Sequence, residues 1–189
     1  NLFDVTYSAL AGIFNKVNTM SGVISQAFTT AGSTMVGQNL GAREYRRVKH
    51  ILLTVLVIGL ALASVATLAM LLFPEAIYAM FTPDADVLAV AGVLTLPIIL
   101  NFYGSATRSA SFSLINGSGR AKLNLAVAII DGVISRMGLA ALLGFAMKLD
   151  CFGFWMGDCL AGFMPFIIGG IFYLSGKWRE PPAHEAAGR

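Results

Sequence analysis

The sequence predicts an all-α, polytopic membrane helical bundle with five transmembrane helices, and three observations carry that prediction. Of the 189 residues, 57% are hydrophobic and only 12% are charged, with a mean hydropathy of +0.75. A soluble domain carries roughly 25% charged residues, so this chain lacks the surface chemistry that water demands. That balance excludes a water-soluble enzyme, a disordered segment and a nucleic-acid binder. The charges also leave long gaps: residues 17–42, 51–74, 87–107 and 159–176 contain no Asp, Glu, Lys, Arg or His, and residues 123–147 are interrupted only by Asp131 and Arg136. A helix needs about 20 apolar residues to cross a hydrocarbon core of roughly 30 Å. The alternation of a barrel strand is missing, since Ile51-Leu-Leu-Thr-Val-Leu-Val-Ile-Gly-Leu is apolar on every side. Lipid offers backbone groups no partners and admits only helices or closed barrels. Helices are what remain.

Taken in order, the spans are 6–39, 48–73, 86–115, 122–147 and 152–175, which make residues 1–175 one transmembrane bundle with a polar tail over 176–189. The first span would be about 51 Å long, more than a bilayer requires. Asn15-Lys-Val-Asn-Thr in its middle could be the turn of a hairpin, and periodicity leaves one long helix and a hairpin both open. Gly41-Ala-Arg-Glu ends this span, and Pro74 closes the second. Thr82-Pro-Asp opens the third, where Thr82 or Asp84 caps the helix start. Pro97 bends that span, and Asn116-Gly-Ser-Gly-Arg ends it as a tight turn with a basic anchor. Tyr173 and Trp178 bracket the last interface as aromatic belts do.

Loop charges alternate. Residues 41–50, 117–122 and the tail hold nine Lys and Arg, against Lys148 alone in the other loops. The positive-inside rule then sets the N-terminal end outside and the C-terminus in the cytoplasm. The missing initiator Met and the odd span count lead us to expect a piece of a larger protein.

Ionisable and strongly polar groups at membrane depth are costly, so each is a candidate for the ion or substrate pathway. Asp131 lies near the middle of the fourth span, on a face with Asn124, Ala128, Ser135 and Gly138. It either pairs with Arg136 or Arg108 to hold the bundle, or binds a proton or cation, with sodium ion the metal to consider. Lys16 with Asn15, Asn18 and Thr19 forms a polar patch in the first span; Gln26 lies below it. Asn101, Ser105, Arg108 and Ser109 share one face of the third span, with Arg108 close enough to its end to snorkel. Asp158 reads as an interfacial residue. Cys151 and Cys159 match no disulfide or metal spacing, His50 and His184 have no ligand partner, and no HExxH, GxxxxGK[ST] or GxSxG motif is present. No cofactor is expected.

One string is distinctive. Thr34-Met-Val-Gly-Gln-Asn-Leu-Gly-Ala-Arg-Glu, followed by Arg43-Glu-Tyr-Arg-Arg-Val-Lys, resembles the multidrug and toxic compound extrusion (MATE) transporters. Asn116-Gly-Ser-Gly-Arg, Ser135-Arg-Met-Gly-Leu-Ala, Gly153-Phe-Trp-Met and Tyr173-Leu-Ser-Gly-Lys-Trp-Arg resemble further family motifs, in the family's order. The resemblance implies helices eight to twelve, five of the six in the C-terminal bundle of a two-bundle transporter. It favours one long first helix. It also implies a multi-pass inner-membrane antiporter exporting cationic or amphipathic organic compounds against sodium ion or proton, partnered by lipid and by an N-terminal six-helix bundle. Asp131 then stands in for a carboxylate that some members carry in the tenth helix, here 86–115. Two rivals remain: a lipid or lipid-linked oligosaccharide flippase, which needs several cationic residues in its cavity, and a non-transporting assembly subunit.

Overall fold

The computed structural model describes residues 2–180, with side chains from residue 6 onward. The Asp4 side chain and residues 181–189 lie outside that description. Helix α1 runs unbroken over Leu2–Gly41, so Asn15-Lys-Val-Asn-Thr is helical and no hairpin forms. Thr19 Oγ1 donates to the Asn15 carbonyl at 2.8 Å, a bond along the helix that satisfies the hydroxyl without breaking the backbone ladder. Helix α2 covers Tyr45–Leu72, and a short α3 over Pro74–Ala79 begins on the proline that α2 cannot accommodate.

The third span is a composite. Helix α4 (Ala85–Val90) starts at Asp84, whose carboxylate accepts from the Asp86 N–H at 3.0 Å, and Thr82 supports the cap by accepting from the Asp84 N–H. A 3-10 turn over Ala91–Leu94 then leads into α5, Thr95–Gly117. Gly119, at φ 67°, makes the following turn in the left-handed region that glycine enters freely. Arg120 extends from it to donate to the Lys177 carbonyl at 2.7 Å.

The fourth span alternates windings: α6 (Ala121–Ile129), a π-helical stretch over Ile130–Ser135, α7 (Arg136–Ala141) and a second π-helical stretch over Leu142–Ala146. The fifth is broken. Helix α8 (Asp150–Ala161) ends before Gly162, and α9 (Met164–Leu174) restarts with Pro165 in its first turn. A proline there gives up only an N–H that a helix start leaves unpaired anyway.

Four of the five stretches are long and apolar enough to cross a membrane: Tyr45–Leu72, Ala85–Gly117, Ala121–Ala146 and Asp150–Leu174. Helix α1 has the length but not the apolarity, because Ser, Thr, Asn and Gln recur along it. It packs most extensively on α5, which also meets α2, α8 and α9. Large apolar side chains such as Leu53, Val65, Leu71 and Phe145 stay exposed on the outer surface, as lipid-facing residues do.

Two apolar clusters close the ends. One gathers Leu10, Phe14, Met70, Leu94, Ile98 and Trp155; the other gathers Val36, Val48, Leu114, Ile115, Val127 and Trp178. Trp178 is no belt residue. It is 1% exposed, donates from Nε1 to the Tyr173 carbonyl at 2.9 Å, and stacks on the Tyr173 ring. Trp178→Ala is expected to cost about 3–5 kcal/mol, measurable as a lowered unfolding midpoint in detergent.

Candidate functional site

Between the apolar clusters lies a polar cavity of about 500 Å³. Its walls follow from helical periodicity. On α1, Asn18, Gly22, Ser25, Gln26 and Thr29 recur every three or four residues and form one lining stripe. Asn101, Ser105, Arg108 and Phe112 on α5 form a second stripe at the same spacing. The two helices are stitched by Ser25 Oγ, which donates to the Ser105 carbonyl at 3.0 Å and lies 2.8 Å from Ser109 Oγ. Asn124 on α6, Arg136 on α7 and Asp158 on α8 complete the ring.

Four ionisable side chains, two of each sign, run through this wall as an alternating chain. Arg108 Nη2 donates to Asp131 Oδ2, and Arg136 Nη1 donates to Asp158 Oδ1. Asp131 Oδ1 lies 4.0 Å from Arg136 Nε and has no hydrogen bond. Asn18 Nδ2 donates to Asp158 Oδ2 at 3.3 Å, tying α1 into the network. An isolated charge at this depth costs several kcal/mol; strict alternation of sign removes most of that penalty. The Arg108 guanidinium also lies 5.4 Å from the centre of the Phe112 ring, a cation–π contact.

The π-helical stretch explains how Asp131 and Arg136 meet. In an α-helix, residues five apart point about 140° away from each other. The i→i+5 winding of Ile130–Ser135 turns them toward one side. Such stretches cluster at functional sites.

The sequence candidates divide as follows. Gln26, Asn101 and Arg136 line the cavity, whereas Lys16 is exposed and does not. Asp131 is 2% exposed and stands behind the wall, where it orients both arginines. Asp131 pairs with Arg108, and Arg136 lies beside it. Arg108 and Asp158 both line the cavity. The sequence names Arg108 as a partner for Asp131, whereas the place of Asp158 in the wall is signalled only by the matched signs of the four charges. The Asn101 Nδ2 atom is buried on the wall with no partner among the described residues. Among the described residues no group of three His, Cys, Asp or Glu is placed to hold a metal. A second, almost wholly apolar cavity of about 350 Å³ lies between α1, α2 and α5.

The MatE family model matches residues 5–142. Multidrug and toxin extrusion protein 1 of Xenopus tropicalis is 25% identical over 172 residues, covering 91% of this chain and 30% of that protein. The probable multidrug resistance protein NorM of Chromobacterium violaceum is 27% identical over 137 residues, covering 70% of this chain and 30% of that protein. The chain thus spans about 30% of the length of these curated relatives. The crystal structure of the eukaryotic MATE transporter AtDTX14 shares the fold, with a TM-score of 0.78 at 17% identity over 93% of this chain and 39% of that one.

Proposed function

Because the chain belongs to the MatE family of membrane transporters, we propose that it works within a secondary active antiporter that exports drugs or toxic organic compounds. The substrates are small cationic or amphipathic compounds, exchanged for inward sodium ion or proton. The observation that carries this reading is the hydrophilic cavity, with its chain of alternating charges, inside an otherwise apolar bundle. A space of about 500 Å³ lies within the range of small-molecule sites, roughly 300–1,000 Å³. The alternating Lys and Arg loops support an inner-membrane protein with the N-terminal end outside and the C-terminus in the cytoplasm.

In this reading the chain supplies five helices of a C-terminal bundle, and an N-terminal six-helix bundle of the same protein faces the cavity. Rocking of one bundle against the other gives alternating access. The membrane potential contributes about 2.3 kcal/mol per charge per 100 mV, so one or two coupling ions drive appreciable uphill export. A cation approaching Asp131 or Asp158 has to displace an arginine, which links ion entry to rearrangement of the wall. Gln26 and Asn101 contact substrate, while Lys16 lies away from the cavity and contributes charge at the helix surface. A flippase reading needs several cations in the cavity to hold a pyrophosphate, and among the described lining residues only Arg108 and Arg136 are cationic.

The test is efflux of a cationic dye from proteoliposomes containing the complete protein under an imposed sodium or proton gradient. Gradient-dependent efflux that confers drug tolerance on a sensitive host is the expected result. Dye movement indifferent to both gradients would overturn the proposal.

A further inference from the structure

We propose that the cavity wall binds an oxyanion, the carboxylate or phosphate of an amphipathic organic molecule, between Arg108, Arg136 and the Asn101 amide. A guanidinium carries five N–H donors, and Arg108 commits Nη2 to Asp131 while Arg136 commits Nη1 to Asp158. Both side chains keep close to a third of their surface open, at 29% and 31%. Asp158 is the sole carboxylate among the described cavity-lining residues, and each of its oxygens already accepts a bond, from Arg136 and from Asn18. Asp131 is buried behind the wall. Asn101 Nδ2 adds a buried donor with no acceptor among the described residues.

The charged groups facing the cavity therefore offer donors and lack acceptors. Gln26, Asn116 and Asn124 present amides that both donate and accept, so they leave this imbalance unchanged. A lone organic cation finds no open carboxylate here. A planar oxyanion finds guanidinium groups whose geometry suits it, next to the Phe112 ring for an apolar substituent. Calling the ligand a substrate rests on the export reading above; a cationic compound held at this wall is then a zwitterion. Its source is either a soluble organic anion or the phosphate of a lipid headgroup.

The test uses the complete protein in maltoside micelles and two fluorescent probes, dansyl-leucine and its methyl ester. A hydrogen-bonded charge is expected to make the acid bind about tenfold tighter than the ester or better. Asn101→Leu and Arg136→Gln should each erase most of that preference. Equal binding of acid and ester to the native protein would overturn the proposal, as would an undiminished preference in both variants. The native comparison stands even where Arg136→Gln fails to fold. Displacement of dansyl-leucine by phosphatidic acid but not diacylglycerol supports the site and assigns it a headgroup. Displacement by neither supports a soluble anion. Equal displacement by phosphatidic acid and diacylglycerol would show apolar binding only and contradict the proposal. Gradient-driven efflux of a cationic dye from the same preparation reads the export function separately, so a failed acid preference alongside intact efflux sinks the oxyanion site alone.

Discussion

Asp131→Asn is expected to abolish gradient-driven export by the complete protein while leaving its insertion in the membrane intact. The substitution is nearly isosteric, so what changes is charge. Arg108 loses the carboxylate that accepts from its Nη2, and Arg136 loses the anionic oxygen 4.0 Å from its Nε. Removing one partner of a buried pair costs about 3–5 kcal/mol, and because Arg108 is partly open the lower end of that range is expected. Insertion depends on long apolar stretches, which the change does not touch. Replacing both partners together, Arg108→Met with Asp131→Leu, should recover much of the lost stability, since a buried pair is often no more stable than a well-packed apolar one. Export should not return. Detergent unfolding midpoints and dye efflux measured on the native protein and the two variants separate these effects. Full export by Asp131→Asn would remove the carboxylate from the mechanism.

Gly157→Val is expected to have an effect of similar size, from packing alone. A Cβ at Gly157 would sit 2.5 Å from the Ala140 nitrogen, and one at Gly153 would sit 2.6 Å from the Leu143 carbonyl. Helices α7 and α8 thus meet backbone to backbone, as small residues allow membrane helices to do. No rotamer relieves a clash with main chain, so the helices must part. Overpacking of this kind costs about 1–3 kcal/mol or more. Asp158 follows Gly157 directly and bonds Arg136 from across that seam, so parting the helices also opens the charge chain. Lower stability and lost efflux are both expected. Gly138→Ala on α7, where an added Cβ meets nothing within 4 Å, should behave like the native protein. Equal behaviour of the two variants would contradict the packing account.

The fold was legible because lipid makes the pattern simple. Apolar runs without charge predicted the long helices, and Pro74, Thr82, Asp84 and the Asn116-Gly-Ser-Gly turn predicted their breaks. The irregular windings were not legible. Nothing in Ile130-Asp-Gly-Val-Ile-Ser distinguishes a π-helical stretch from an α-helix, because the difference is one residue per turn held by tertiary packing. Of the face drawn for Asp131 by α-helical spacing, Ser135 is buried with it and Asn124 lines the cavity, while Ala128 and Gly138 are exposed. Trp178 was read from its type as a belt residue, while the chain beyond α9 folds it inward against Tyr173 and Tyr45. Asn101 and Gln26 were found as polar residues in apolar runs, a signal that burial physics makes strong. Asp158 gave the same signal and was discounted for lying close to a span end.

The central claim is that water reaches the α1–α5–α6 wall within the membrane. Cysteine labelling tests it most directly, using Gln26→Cys and Asn124→Cys in the complete protein with Cys151→Ser and Cys159→Ser as background. A charged, membrane-impermeant thiosulfonate should modify both positions in intact membranes, while Val65→Cys on the outer apolar surface stays unmodified. Gln26→Cys and Asn124→Cys as unreactive as Val65→Cys would mean a sealed seam in place of a hydrated cavity.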